Sequence, residues 1–219
     1  MHQGIQALKC KEIDAFISIG NTGALLTLSK LSLNLIPGIT RPALIALMPT
    51  RKNPVAVVDL GANVACKPHL LVEFAEMGVA FQRTRSIENP TVGILNIGNE
   101  EVKGTQEIRQ AHAHIAQKAK AAPDKIPHFL GNVESHDVFE GKVDVLVTEG
   151  FSGNIFLKTA EATSSFLLHE IKSSLKKEKG IVESLESQFG HEGYPGALLI
   201  GCDGLVMKCH SYSDSRAIL

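Results

Sequence analysis

Charge of one sign is lacking in this 219-residue chain: 22 Lys and Arg stand against 23 Asp and Glu, a formal net charge of -1. A nucleic-acid partner would need a basic footprint, and none is present, so no nucleic acid is expected. Cysteine is sparse too. Cys10, Cys66, Cys202 and Cys209 include no C-x-x-C pair, so they read as reduced, mostly buried thiols rather than a disulfide framework. Metal-ligand spacing of the H-E-x-x-H kind is missing, and His112 and His114 point to different faces of a predicted helix, so no metal is expected. No apolar run approaches the roughly 20 residues of a spanning helix. Met1-His2-Gln3-Gly4 lacks the basic start and apolar stretch of a secretory signal. The expectation is a soluble, cytoplasmic protein, and 44% hydrophobic residues are too many for a disordered one.

Short β-branched runs alternate with helical patterns. Strands are expected at 14–19, 42–48, 55–60, 91–95, 128–130 and 143–147, and a closing hairpin at 197–200 and 205–207 turns around Asp203-Gly204. Helices are expected at 21–35, 67–77, 103–120 and 151–177, with a shorter one after Gly180 ending near Phe189. Pro68 sits well in a first helical turn. This alternation predicts an α/β fold, a mostly parallel sheet with helices on both faces. No linker or repeat divides the chain, so residues 1–219 are expected to form a single α/β domain with a helical hairpin at about 160–190. Met1 starts inside one helical pattern and Leu219 stops inside another, begun by Ser213-Asp214, so a chain shortened at both ends is expected.

Glycine next to an amide side chain ends nearly every strand: Gly20-Asn21-Thr22-Gly23, Gly61-Ala62-Asn63, Asn96-Ile97-Gly98-Asn99, Gly131-Asn132 and Gly153-Asn154. In an open parallel sheet such turns gather at the carboxyl edge, where ligands bind. Glycine admits close backbone approach, asparagine caps helices, and helix N-termini attract anions. The expectation is one crevice shaped for phosphate or another oxyanion, although βα turns favour Gly and Asn in any case. G-x-G-x-x-G, G-x-x-x-x-G-K-[ST] and G-x-S-x-G are all absent, which disfavours nicotinamide cofactors, P-loop ATP hydrolysis and a nucleophile elbow. No cofactor is expected.

Ile19 to Ala24, Arg41-Pro42-Ala43-Leu44, Asp59 to Val64 with Cys66-Lys67-Pro68, and Gly93 to Gly98 follow one another along the chain. Lys103-Gly104, Gly131 to Glu134, and Glu149 to Asn154 with Lys158-Thr159 continue the series. In these motifs, and over essentially its whole length, the sequence resembles the PlsX family, the bacterial phosphate acyltransferases of phospholipid synthesis. The resemblance implies a homodimeric fold like that of phosphotransacetylases and isocitrate dehydrogenases, without the family's usual N-terminal segment. It implies transfer of a fatty acyl group from an acyl carrier protein thioester to inorganic phosphate, with no covalent enzyme intermediate. A membrane-bound glycerol-phosphate acyltransferase would then consume the acyl phosphate. Two departures stand out: Ala65 replaces the family's usual Asp, and His210-Ser211-Tyr212-Ser213-Asp214 replaces His-Gly-Ser-Ser-Asp.

Lys67, Asn154, Lys158 and His210 are the expected catalytic residues. Lys67 would neutralise phosphate as a point charge, and Asn154 and Lys158, four apart, share a helical face. His210 would protonate the leaving thiolate or bind phosphate; a structural histidine is the competing account. Gly20, Asn21, Thr22 and Gly23 would present donors from a helix start, with simple capping as the alternative. Gly61, Asn63, Asn96, Gly98, Asn132, Ser152 and Gly153 would line the crevice. Asp59 and Glu149 would orient donors, while Lys208, Ser213 and Asp214 would add phosphate contacts. Cys66 is not needed as a nucleophile. Apolar residues at helical spacing from Phe166 to Phe189, with Lys172, Lys176, Lys177 and Lys179, suggest peripheral membrane contact beside the plainer account of a packed hairpin. A short-chain phosphotransacetylase using acyl-CoA, and a non-catalytic dimer or membrane-binding module, are the alternatives.

Overall fold

The computed structural model describes residues 1–174, 179–189 and 196–209. Along the chain run α1 (His2–Lys9), β1 (Ala15–Ser18), α2 (Thr22–Ser32), β2 (Ala43–Met48), β3 (Val55–Val58), α3 (Pro68–Thr84), β4 (Thr91–Leu95) and α4 (Gln106–Ala121). They are followed by β5 (His128–Val133), α5 (Ser135–Phe139), β6 (Val145–Val147), α6 (Gly150–Ser174), α7 (Lys179–Phe189), β7 (Ala197–Ile200) and β8 (Leu205–Lys208). The strands form one sheet in the order β1-β8-β7-β2-β3-β6-β4-β5. From β3 to β5 every pairing is parallel, as is β1 with β8. The β8-β7-β2-β3 stretch is antiparallel. The mostly parallel α/β sheet matches the expectation.

Strand β3 is buried on both faces, and its alternate residues serve two separate cores. Ala56 and Val58 face α3 and α4 with Leu71, Phe74, Ala111 and Ile115. Val55 and Val57 face the opposite side, with Ile5 and Leu8 of α1, Leu25 of α2, and Phe156 and Leu157 of α6. A strand covered by helices on both faces has no polar side, which is why VAVV reads as an unbroken apolar run.

Helices α3, α5 and α7 differ from the sequence expectation. Helix α3 continues to Thr84 because Val79, Gly78 and Gln82 are buried against the sheet beyond Met77. The short α5 was not expected; its capping box pairs Glu134 and Asp137, and Lys142 Nζ donates to Asp137 Oδ1 at 2.5 Å. That lysine holds the Asp137 carboxyl below its usual range. Helix α7 begins at Lys179 and takes in Gly180, packing beside α6.

Gly78 marks a close approach of α3 to the sheet, since a Cβ there would overlap Val145 Cγ1 of β6. Valine is stiff and this one is fully buried, so neither partner can step aside. Gly78→Ala is therefore expected to cost about 1–3 kcal/mol despite alanine's better helix propensity. Urea unfolding would show it as a lower midpoint with an unchanged slope.

Candidate active site

The predicted crevice is two cavities rather than one. Strand β1 runs in the direction of β2 and against β3, because β1 parallels β8 while β8-β7-β2-β3 alternate. The Gly20-Asn21 turn therefore leaves the sheet at the edge opposite the turns that follow β3, β4, β5 and β6. This corrects the expectation that all these turns gather at one carboxyl edge. Two of the turns nevertheless meet, because α6, which starts at the far edge, lines the same cavity as the Gly20-Asn21 turn.

The first cavity, about 460 Å³, is lined by Gly20, Asn21 and Thr22 at the start of α2, by Asn154, Lys158 and Glu161 of α6, and by Lys208 at the end of β8. Its floor is apolar: Leu44, Ala46, Leu60 and Ala197. Asn21 caps α2, its Oδ1 accepting from Ala24 N–H at 3.0 Å, so the capping account of this residue is realised within the cavity wall. Asn154 Nδ2 donates to the Leu60 carbonyl at 3.0 Å, which ties the α6 wall to the turn after β3. Lys208 Nζ donates to the Cys209 carbonyl, and partial burial holds its ammonium below the usual lysine pKa. Two lysines and a helix N-terminus thus converge on an apolar floor, an arrangement that favours an anion.

The second cavity, about 830 Å³, opens at the carboxyl edge of β4 and β6, on the other side of α6. Asn96, Glu149 and Ser152 line it together with Leu95, Ile97, Phe151, Ile155 and Phe156. Glu149 accepts from Ser152 N–H at 3.1 Å and from Ser152 Oγ at 2.5 Å, capping α6. Asn96 Nδ2 donates to the Lys103 carbonyl and Asn132 Nδ2 to the Glu100 carbonyl, so both amides hold the loop after β4. Gly98 is buried in that loop beside Glu100 and Lys103.

Asp59, Gly61 and Asn63 line neither cavity. Asp59 is fully buried and accepts four hydrogen bonds: Oδ1 from Leu44 N–H and Ala62 N–H, and Oδ2 from Asn63 N–H and Asn63 Nδ2, at 2.6–3.0 Å. Burial pushes its carboxyl above the usual range, and these donors pull the other way. Asn63 Nδ2 also reaches the Pro42 carbonyl at 2.9 Å. The Asn63 amide is thus spent on the turn, not offered to a ligand. Gly61 sits at φ +128 with Asn154 Nδ2 3.0 Å from where a Cβ would lie, so the turn needs glycine. Gly153 packs directly on the Asp59 carbonyl. Lys67 is exposed at the N-cap of α3 and lines neither cavity, and Gly23 lies in the exposed first turn of α2. His210, Ser213 and Asp214 lie outside the described residues, as do Lys176 and Lys177. Among the described residues no cluster of His, Cys, Asp or Glu could hold a metal ion. Glu161 was not among the expected site residues, although its spacing of three from Lys158 and seven from Asn154 places it on their face.

Two expected outcomes follow from this geometry. Asp59→Asn leaves one oxygen and one N–H₂ facing four donors, and is expected to cost about 2–4 kcal/mol in denaturant unfolding. Burial first, then the Asp59 charge, pushes the Cys66 thiol up to about 12, and burial pushes Cys202 to about 11. Iodoacetamide at pH 8 is therefore expected to label exposed Cys10 in the folded protein, and Cys66 and Cys202 only after unfolding; mass spectrometry of the peptides would check this.

Comparison with known proteins agrees with the motifs. The family model described as "Fatty acid synthesis protein" matches residues 1–219. A phosphate acyltransferase from Chlamydia felis is 41% identical over 219 residues, covering 100% of this chain and 66% of that protein. One from Petrotoga mobilis is 38% identical over 230 residues, covering 100% of this chain and 69% of the relative. The chain thus spans about two thirds of the length of these relatives. A phosphotransacetylase from Streptococcus pyogenes shares the fold with a TM-score of 0.68 at 17% identity, over 99% of this chain and 63% of that one. A branched-chain phosphotransacylase from Enterococcus faecalis does so with a TM-score of 0.64 at 14% identity, over 99% and 73%. With its motifs in order and the family model matched from end to end, the chain belongs to the fatty acid synthesis protein family, among whose relatives are the phosphate acyltransferases.

Proposed function

We propose that this chain transfers a fatty acyl group from an acyl carrier protein thioester to inorganic phosphate, yielding acyl phosphate for phospholipid synthesis. The observation that carries this reading is the first cavity, where Lys158, Lys208 and the start of α2 converge on an apolar floor. Phosphate held there would be the nucleophile. A phosphate oxygen attacks the thioester carbonyl carbon, the C–S bond breaks, and the carrier thiolate leaves and takes up a proton. Catalysis then consists of positioning phosphate and stabilising the developing oxyanion. Lys158 and Asn154 would face the reacting centre and Lys208 would neutralise phosphate. Cys66, lining the second cavity with its thiol pKa pushed up to about 12, is a poor nucleophile.

In this reading the protein acts as a homodimer and hands its product to a membrane-bound glycerol-phosphate acyltransferase. Peripheral membrane contact through α6 and α7 is supported by the exposed Phe166, Leu167 and Ile181. Among the described residues no helix is long and apolar enough to cross a membrane.

The phosphotransacetylase-like fold favours one rival, a short-chain acyltransferase using acyl-CoA. Palmitoyl carrier protein and acetyl-CoA would be compared as donors with orthophosphate, and acyl phosphate trapped with hydroxylamine. Phosphate-dependent palmitoyl hydroxamate is expected, falling roughly a hundredfold in Lys158→Ala. Product from acetyl-CoA alone would favour the rival. Silence with both donors, in this chain and in one extended to its relatives' length, would leave a non-catalytic module.

A further inference from the structure

The second cavity takes no part in the phosphate site proposed above, yet it is the larger of the two, about 830 Å³. Small-ligand sites run to roughly 300–1,000 Å³, so this one is ample for a ligand of its own. Its rim is apolar and wet: Ile97, Phe151 and Ile155 are 82%, 57% and 50% exposed. Its floor is Leu71, which is 1% exposed and belongs to the core between α3 and the sheet. The cavity therefore runs from solvent down to the core. Apolar side chains held open to water are unfavourable until something covers them. A flat protein surface could cover the rim without reaching Leu71, whereas a slender apolar chain reaches both.

Charge narrows the occupant further. Among the described residues lining this cavity are Glu107 and Glu149 but no lysine, arginine or histidine. An anionic chain end would find like charge there and no partner. Lys158 and Lys208 line the first cavity instead, and the consecutive α6 residues Asn154 and Ile155 line the first and the second respectively. Resting on the reading that this chain transfers an acyl group, we propose that the second cavity seats the alkyl chain of the uncharged thioester donor, its tail toward Leu71. The two cavities then sort their ligands by charge: the anion goes to the lysines and the neutral chain to the apolar wall. A free fatty acid of the same length brings its carboxylate to a wall that already carries two, and binds less well.

The test is calorimetric binding of hexanamide, octanamide and decanamide, neutral stand-ins for the thioester, to the 219-residue chain. Each added methylene is expected to tighten binding roughly three- to fourfold. Decanoate, equal in length and charged, is expected to bind roughly five- to tenfold more weakly than decanamide. Ala65 lines the cavity from an exposed position, so Ala65→Trp fills space there and is expected to weaken decanamide at least about tenfold. Ile155→Asp, which puts a charge into the apolar wall, is expected to do the same. Unchanged thermal unfolding of both variants would show that the fold is intact. Affinity that ignores chain length, or that survives both substitutions, would overturn the chain site while leaving acyl transfer to phosphate untouched. Decanoate binding as tightly as decanamide would overturn the sorting by charge. Length-dependent binding without any acyl transfer would support the alkyl site and count against the enzyme reading alone.

Discussion

The buried carboxylate of Asp59 is the constraint on which the rest of the arrangement depends. It gathers N–H groups from the start of β2 and from the turn after β3. Its own backbone N–H donates to the Thr148 carbonyl, and its carbonyl is the surface on which Gly153 of α6 rests. Asn63 extends the knot by accepting from Gly150 N–H at its carbonyl, 2.8 Å away. Two strands and the β6–α6 junction are thereby locked to one side chain. A buried charge is tolerated only when its hydrogen-bonding capacity is filled, and here four donors fill it.

That lock determines where α6 begins and so which of its faces points where. Glu149, Ser152, Phe151 and Ile155 look into the larger, mostly apolar cavity at the carboxyl edge of the sheet. Asn154, Leu157, Lys158 and Glu161 look into the smaller one beside α2. One helix is therefore a wall shared by a cationic cavity and an apolar one.

Much of this was legible in the residues. Unbroken apolar runs such as VAVV announced strands buried on both faces, and the spacing of Asn154 and Lys158 put them on one side of a helix. Burial of α3 beyond Met77 was not legible, since its last turns carry a glycine and a glutamine that look like a helix end. Gly78 is there because β6 comes close, and Gln82 because its Nε2 reaches the Pro54 and Asp144 carbonyls. The same ambiguity governs the asparagines. Asn63, Asn96 and Asn132 have the composition of ligand-binding turns, yet their amide N–H₂ groups are spent on backbone carbonyls, those of Pro42, Lys103 and Glu100.

By itself the sequence determined the α/β class, the alternation of elements, the family and the motif-bearing turns, because each rests on local pattern. Only the tertiary structure decided which turns meet. Strand direction depends on partners far away in the chain, and the pairing of β1 with β8, 190 positions apart from Ala15 to Leu205, turns the Asn21 loop to the opposite edge. The helix that crosses the sheet then reunites Asn21 with Asn154 and Lys158, and leaves Lys67 outside on the surface. Periodicity can say which face of a helix a residue occupies, but what that face meets is set by long-range packing.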